Sequence, residues 1–196
     1  DYEDLEKKIV DNKVKLFLLC SPHNPVGRVW TKEELLKLAE ICLKHGVIIV
    51  SDEIHSDFVY KGHRHIPIAS LSKEISNNTI TCTSPSKTFN IAGLQVSNIV
   101  IENQNLRRQV WKACLQTGYS SLNTMAICAA KAAYKHGHVW LDTLLDYLED
   151  NLNLVQKVLS GKSEIALIRP EATYLAWLDC RNLGLDKNGL ESFFID

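Results

Sequence analysis

The chain has 196 residues, of which 45% are hydrophobic and 23% are charged, and its formal net charge is −1 at pH 7. This composition is typical of a soluble globular protein, and the length allows one domain or part of a larger one. A net charge so close to zero provides no long-range attraction to nucleic acid or to an anionic membrane. The sequence contains no apolar run long enough to span a bilayer, and no charged-then-apolar leader opens it, so we expect no membrane partner and no secretion.

The six cysteines are spread along the chain and none of them forms a Cys-x-x-Cys pair. Most of them fall within apolar strand or helix patterns, where a free thiol packs as a small hydrophobic group. Buried reduced thiols in a cytosolic protein are therefore the favoured interpretation, and a disulfide framework is the alternative. We predict a cytoplasmic location on this basis.

The first half of the chain alternates helices with apolar strands. A short helix is predicted over 1–10, and a second begins at the capping box Thr31-Lys-Glu-Glu34 and ends at Gly46. Strands are predicted over 14–20, 47–50 and 79–82. Nearly continuous apolar strands that alternate with helices are typical of a buried parallel sheet.

The second half of the chain is richer in helix. A strand over 96–101 is followed by helices over 105–116 and 124–136, with a loop over 117–123 between them. One apolar stripe then continues from Leu141 to Leu159 and predicts a long helix. Two short strands, over 165–168 and 174–178, and a helix that starts at Asp186 complete the chain.

Polar side chains follow each of the three predicted parallel strands. Ligands bind outside the carboxyl ends of such strands, so these side chains are expected to converge on one rim of the sheet. The residues concerned are Asn24, Asp52, His55, Ser84 and Lys87. An amide, an acid, an imidazole, a hydroxyl and an amine together favour a binding site over a solvated surface.

This set of groups suggests one cofactor. A lysine amine forms a Schiff base with an aldehyde, and pyridoxal phosphate requires such a lysine together with an acidic partner for its pyridinium nitrogen. Lys87 is the lysine and Asp52 the acid in this interpretation, with Asn24 on the ring hydroxyl. Ser84 and Ser86 are predicted to donate hydrogen bonds to the phosphate.

Three motifs carry a resemblance to a known family. In order they are Asn24-Pro-x-Gly27, Asp52-Glu-x-His55 and Ser84-x-Ser-Lys-Thr-Phe89, and together they resemble the fold-type I pyridoxal-phosphate enzymes of the aminotransferase class I/II group. The stretches 21–30, 51–57 and 170–179 are most similar to the cystathionine β-lyase, or C–S lyase, branch. The resemblance covers essentially the whole chain and implies that Lys87 is the Schiff-base lysine and Asp52 the partner of the pyridine nitrogen.

The chain departs from the aminotransferase pattern at two positions. Many aminotransferases of the group have a phosphate-binding Arg eight residues after the lysine, where this chain has Gln95, and a Tyr three residues after the aspartate, where it has His55. Both departures are expected of the lyase branch. For His55, contact with the cofactor is the hypothesis and a structural histidine is the alternative. The lyase branch usually has Gly where this chain has Ala172.

The resemblance also implies a fold and an arrangement of domains. The expected fold is a three-layer α/β/α arrangement with a mostly parallel sheet, as in the second half of the large domain of these enzymes, plus the start of a small α+β C-terminal domain. The expected boundaries are 1–140 for the large domain, 141–160 for a long interdomain helix and 161–196 for the small domain. We therefore expect a fragment, with a phosphate loop and a carboxylate-binding Arg outside it.

A homodimer is implied by the same resemblance, because a second subunit completes the site in these enzymes. Tyr119, Ser120 and Asn123 are candidates for a loop that reaches the partner's site, and a plain helix-cap loop is the alternative. The two His-x-His pairs, at 63 and 65 and at 136 and 138, have no cysteine or carboxylate nearby at ligand spacing, so no metal site is predicted.

The implied activity is a β-lyase that cleaves L-cystathionine or cysteine conjugates to a thiol, pyruvate and ammonia. An aminotransferase that passes an amino group to a 2-oxo acid is the second hypothesis, since Lys87, Asp52 and Asn24 serve both reactions. A cofactor-binding fold that is retained as a regulatory or binding module is the third.

Overall fold

A computed structural model describes residues 1–119, 121–161 and 164–195 of the chain. In chain order the elements are α1 (Tyr2–Asp11), β1 (Leu16–Cys20), α2 (Lys32–Lys44), β2 (Ile48–Asp52), α3 (Lys73–Asn77), β3 (Thr79–Thr83), α4 (Pro85–Thr88), β4 (Asn98–Val100), α5 (Gln104–Gln116), α6 (Thr124–His136), α7 (His138–Leu159), β5 (Ala166–Ile168), β6 (Trp177–Asp179) and α8 (Lys187–Ile195). The predicted alternation of strands and helices is confirmed. The short helices α3 and α4 were not predicted, because four or five residues are too few to show a helical period.

The larger sheet has the strand order β1-β2-β3-β4. Strands β1, β2 and β3 are parallel, and β4 runs antiparallel to β3. The predicted mostly parallel sheet is therefore confirmed. The register places Asp52 between Cys20 on one neighbouring strand and Cys82 on the other, so the strands end together at one rim.

Helix α2 begins as the capping box predicts and packs on one face of this sheet. The Thr31 hydroxyl accepts from the Glu34 amide at 3.2 Å, and the Glu34 carboxylate accepts from the Thr31 amide at 2.9 Å. The predicted apolar stripe of α2 is buried against the strands, and it comprises Leu35, Leu38, Ala39 and Cys42. This packing fixes the strands whose ends carry the site.

The opposite face of the sheet is open at β1. Leu16 and Leu18 point to that face and are 47% and 73% exposed. The second helical layer of the predicted three-layer arrangement therefore does not cover these two residues in the described part of the chain. Apolar strands of a parallel sheet are normally covered on both faces, so β1 is an exception to that pattern here.

The C-terminal part is built on α7, a single helix of 22 residues that starts three residues earlier than predicted. Strands β5 and β6 form an antiparallel pair, and Leu152 of α7 packs with Leu167 of β5 and with Tyr60. The predicted strand over 174–178 is wrong at its start, because the antiparallel pairing with β5 begins only at Trp177, opposite Ile168.

Within the residues that the structure describes, none of the helices has the length and hydropathy of a membrane span. All six cysteines belong to this described part and are free thiols. Burial raises the pKa of the Cys42 thiol to about 11, so this side chain packs as an uncharged group in the core.

Candidate active site

The polar groups predicted to converge do lie at the carboxyl ends of the three parallel strands. Asn24 follows β1, Asp52 is the last residue of β2, and Lys87 lies in α4, which begins two residues after β3. The parallel register brings these strand ends together, as the strand pattern predicted.

Asn24 and His55 are in direct contact. The Asn24 side-chain amide lies 3.4 Å from His55 Nε2, which is a long hydrogen bond between the loop after β1 and the loop after β2. His55 itself is buried, and its Nδ1 has no hydrogen-bond partner in the described part of the chain. The Nε2 atom of this buried ring thus has a polar partner, and the Nδ1 atom has none within the described residues.

Two aromatic rings pack near His55. The Tyr174 ring centroid lies 5.4 Å from that of His55, and Phe58 meets Tyr174 edge-on at 5.1 Å. Burial in this environment lowers the pKa of His55, and the positive charge of Lys87 lowers it further. The Asp52 carboxylate opposes this shift, so both charged groups lie close enough to act on the imidazole.

Asp52 is fixed at its backbone while its carboxylate stays exposed. The Ser21 amide donates to the Asp52 carbonyl at 2.9 Å, and the Ile54 amide donates to the carboxylate oxygen Oδ1 at 3.2 Å. The first bond joins the ends of β1 and β2, and the second orients the side chain. A second carboxylate oxygen remains available to a cationic partner.

Lys87 lies on a short helix that is anchored at both ends. Ser84 caps α4 by accepting the Ser86 amide at 3.0 Å. Thr88, which follows the lysine, is fully buried and donates its hydroxyl hydrogen to Asp57 Oδ2 at 2.7 Å. The helix is therefore held in place while the Lys87 amine remains exposed.

One wall of a cavity of about 500 Å³ is formed by Lys87. The other lining residues are the polar Ser86, Thr88 and Asn90 and a larger apolar and aromatic set that comprises Phe58, Ala92, Trp140, Leu144, Leu148 and Tyr174. Apolar walls around a single amine are typical of small-molecule sites, in which a few polar groups orient the ligand.

The hydroxyls of Ser84 and Ser86 both point to one carbonyl. Ser84 Oγ donates to the Val96 oxygen at 2.6 Å, and Ser86 Oγ donates to the same oxygen at 3.2 Å. These bonds tie α4 to the segment that leads into β4. A phosphate would therefore compete with Val96 for both donors, and the predicted phosphate contact of the two serines stays a prediction.

Gly27 of the first motif has a structural reason to be glycine. Its φ is +77°, and a Cβ at this position would lie 2.5 Å from the Pro170 Cβ and 2.6 Å from the Ala172 oxygen. The Gly27 carbonyl accepts from the Glu171 and Ala172 amides at 2.8 Å each. The loop that contains Asn24 is thus hydrogen-bonded to residues 171 and 172, which shortly precede Tyr174.

The residues predicted near a partner subunit have mixed outcomes. Asn123 caps α6 by accepting the Met125 amide at 2.8 Å, which is the role expected of a plain helix-cap loop. Tyr119 is exposed, and Ser120 lies outside the described residues.

Gln95 is exposed and has a left-handed backbone. Within the described residues, no group of three His, Cys, Asp or Glu side chains is arranged to hold a metal ion.

Sequence reasoning missed several residues that shape the site. The contacts of Tyr174 with His55 and of Asp57 with Thr88 join positions 119 and 31 residues apart along the chain. Glu53, the residue after Asp52, and His65 were also missed, although their buried side chains contact each other. The acidic repeat within Ser51-Asp-Glu-Ile-His-Ser-Asp57 was a usable signal, since three carboxylates in one loop each need a partner.

Comparison with known proteins agrees with this geometry. Residues 1–192 match the family model described as aminotransferase class I and II. The chain is 50% identical over 193 residues to cystathionine beta-lyase PatB of Bacillus subtilis, which covers 97% of this chain and 50% of that protein.

Two solved structures with bound pyridoxal phosphate have the same fold. A candidate aminotransferase from Clostridium difficile 630 is 49% identical with a TM-score of 0.95, and a C–S lyase from Staphylococcus hominis is 38% identical with a TM-score of 0.88. Each covers all of this chain and 50% of its own. The chain thus spans about half the length of these relatives, and it belongs to the aminotransferase class I and II family.

Proposed function

We propose that the protein that carries this chain is a pyridoxal-phosphate-dependent C–S β-lyase. The observation that carries the proposal is the placement of Lys87, Asp52 and His55 on one rim, in a chain 50% identical to a cystathionine beta-lyase. The substrate class is L-cystathionine or another cysteine conjugate. Water and the conjugate give a thiol, pyruvate and ammonia, so no oxidant or second substrate is needed.

The groups on the rim fit this cofactor chemically. Three groups on the rim have no hydrogen-bond partner within the described residues. They are the exposed Lys87 amine, one carboxylate oxygen of Asp52 and the buried Nδ1 atom of His55. Lys87 would hold the aldehyde carbon, Asp52 the ring nitrogen and Asn24 the ring hydroxyl. Ser84 and Ser86 would bind the phosphate, with His55 beside the ring through its contact with Asn24. The proposal includes these individual site assignments. It also includes the division of the chain into part of a large domain over 1–140, an interdomain helix over 141–160 and the start of a small domain over 161–196.

When bound, pyridoxal phosphate supplies an electron sink for negative charge at the substrate α-carbon. The chain's own residues would do the rest. The Lys87 amine takes the α-proton as a general base, and α4 holds this amine in place through the Thr88–Asp57 bond. Asp52 would face the ring nitrogen, and the bond from the Ser21 amide to its carbonyl holds its backbone at the end of β1. Tyr174 packs against both His55 and Phe58 and so helps to hold the imidazole in place.

The native-length protein with L-cystathionine provides the test. We expect release of pyruvate and of a thiol in equal amounts, and no release from Lys87→Ala. Cofactor binding without turnover of any cysteine conjugate would contradict the lyase and leave a regulatory or binding module.

Amino transfer is the second candidate, because a relative of this chain at 49% identity is a candidate aminotransferase. The two reactions separate in a single assay with a 2-oxo acid. Formation of a new amino acid without pyruvate from the conjugate would decide for the aminotransferase. We also infer a homodimer and a cytoplasmic location from the resemblance to this family and from the six free thiols.

A further inference from the structure

The residue after Asp52, the acid proposed to face the cofactor, has a buried carboxylate. Glu53 follows Asp52 in the chain, and it is only 2% exposed. Ser51 Oγ donates to Glu53 Oε1 at 2.8 Å, and His65 Nε2 lies 2.9 Å from Oε2. Burial of a carboxylate is costly unless hydrogen-bond donors replace water, and this pair of donors does so.

His65 is oriented by this contact. Its side chain is 8% exposed, and its Nδ1 is buried without a hydrogen-bond partner in the described residues. The bond to Glu53 is therefore the polar contact that sets the direction of the ring. Through it, the end of β2 is tied to a loop 12 residues further along the chain.

The same bonds constrain Asp52. Successive side chains of a strand point to opposite faces, so Ser51 and Glu53 lie on the covered side while Asp52 points to the other. The Glu53 amide donates to the Cys82 carbonyl at 2.8 Å, and the Asp52 carbonyl accepts from Ser21. A rotation of the Asp52 backbone would pull the Glu53 carboxylate away from both of its donors.

We propose that Ser51, Glu53 and His65 form a positioning cluster that sets the direction of the Asp52 carboxylate. The inference rests on the proposed function, since it needs a cofactor nitrogen for Asp52 to face. It assigns no contact with substrate to the cluster, which acts through the neighbouring residue. A clamp that only joins β2 to the loop of His65 is the competing explanation, and the two differ in what they do to the bound cofactor.

The test uses the absorbance of pyridoxal phosphate bound to the native-length protein. This absorbance changes with pH as the imine nitrogen between the cofactor and Lys87 loses its proton. A positive charge that a carboxylate holds on the ring nitrogen lowers the midpoint of this change, so a weaker carboxylate contact raises it. Glu53→Gln keeps the size of the side chain and removes its charge. We expect the midpoint to move to higher pH and the cofactor to be retained about tenfold more weakly, as a misplaced group weakens a site.

Two further variants keep the test decisive. Ser51→Ala removes one donor at a smaller cost in folding and should shift the midpoint in the same direction by a smaller amount. Thr79→Val is the matched control, because it removes a buried hydroxyl bond of 2.7 Å to Ile75 at the other end of β3. It should lower the melting temperature and leave the midpoint unchanged.

The possible results distinguish failure of the positioning role from failure of the proposed lyase function. Lower melting temperatures for Glu53→Gln and Ser51→Ala with an unshifted midpoint would overturn the positioning role and leave the lyase intact. A wild-type protein without any cofactor absorbance would overturn both. A midpoint that also shifts in Thr79→Val would show that the readout follows general loosening of the sheet, and it would equally overturn the inference.

Discussion

The core beneath the sheet and the rim at the ends of its strands share three strands but are held together differently. In the core, Leu35, Cys42 and Ile49 are fully buried, and apolar contacts dominate. On the rim, Asp52 and Lys87 are exposed, while hydrogen bonds fix the backbone and the neighbours on which they depend. Apolar burial supplies most of the stability of a domain, so the rim is free to carry groups that contribute little to folding.

This difference makes a general prediction about substitutions. Changes on the rim should alter chemistry and spare the fold, and changes in the core should do the reverse. Lys87→Ala, Asp52→Asn and Leu35→Ala test that separation. Thr88→Val then tests a bond expected to serve both the site and the fold, and Glu34→Gln tests a helix cap remote from the proposed chemistry.

Lys87→Ala should have the largest effect. Loss of a general base costs up to about ten-thousandfold in rate, and this lysine is also the proposed covalent anchor of the cofactor. Because the side chain is exposed, the melting temperature of the cofactor-free protein should stay within the error of the wild type. Parallel measurements of pyruvate release and thermal unfolding check both parts, and a large drop in melting temperature would break the separation.

Asp52→Asn should follow. The substitution preserves shape and removes the charge that is proposed to face the ring nitrogen, and preorganised charges of this kind are worth about a thousandfold in rate. We expect a fall in kcat with little change in stability. An activity within about threefold of the wild type would remove Asp52 from the site.

Leu35→Ala tests the core. Truncation of a fully buried leucine typically costs about 3 kcal/mol of unfolding free energy, because it combines lost burial with a cavity. Denaturant unfolding measures this loss. The kcat of the fraction that remains folded should be unchanged, and a lower kcat per folded molecule would mean that core and rim are coupled.

Thr88→Val examines the link between Asp57 and the helix of Lys87. The variant keeps the shape of the side chain and removes the 2.7 Å bond, which is worth about 1 kcal/mol. We expect a similar loss of stability and a severalfold loss of activity, and Thr88→Ser should restore both. Equal activity in the two variants would show that the bond serves the fold alone.

Glu34→Gln should have the smallest effect, and that effect should depend on pH. The two bonds from Arg28, at 2.7 and 2.8 Å, and the Thr31 amide hold the pKa of Glu34 below its ordinary value of 4.5. A lowered folded-state pKa means that this stabilisation is present above pH 4.5 and is lost as the pH falls through the folded value. The wild type and the variant should differ by up to about 1 kcal/mol at pH 7 and converge in acid. A constant difference across this range would contradict the assignment.

Local patterns were sufficient to predict the framework of the fold and of the site. The capping box at Thr31 and the apolar stripe of α2 depend on neighbours within two turns of helix, and each was confirmed. The convergence of Asn24, Asp52 and Lys87 followed from one rule about parallel strands.

The remaining features depend on contacts between distant segments. The bond of both serine hydroxyls to Val96 requires knowledge of how the chain returns toward β4, and no local period reports this. The contact of the Tyr174 ring with His55 joins positions far apart in the chain, and it follows a left-handed residue, Thr173, just before the stretch where a strand was expected. The exposed side chains of Leu16 and Leu18 carry the pattern of a covered strand, so their sequence alone predicts burial that the described residues do not provide.

Borohydride reduction of the native-length protein with pyridoxal phosphate, followed by peptide mapping, tests the central claim most directly. Reduction fixes the cofactor to the lysine that holds it. We expect one modified peptide, with the adduct on Lys87, and none in Lys87→Ala. An adduct spread over many lysines, or placed on a single different one, would contradict the assignment of this rim as the cofactor site.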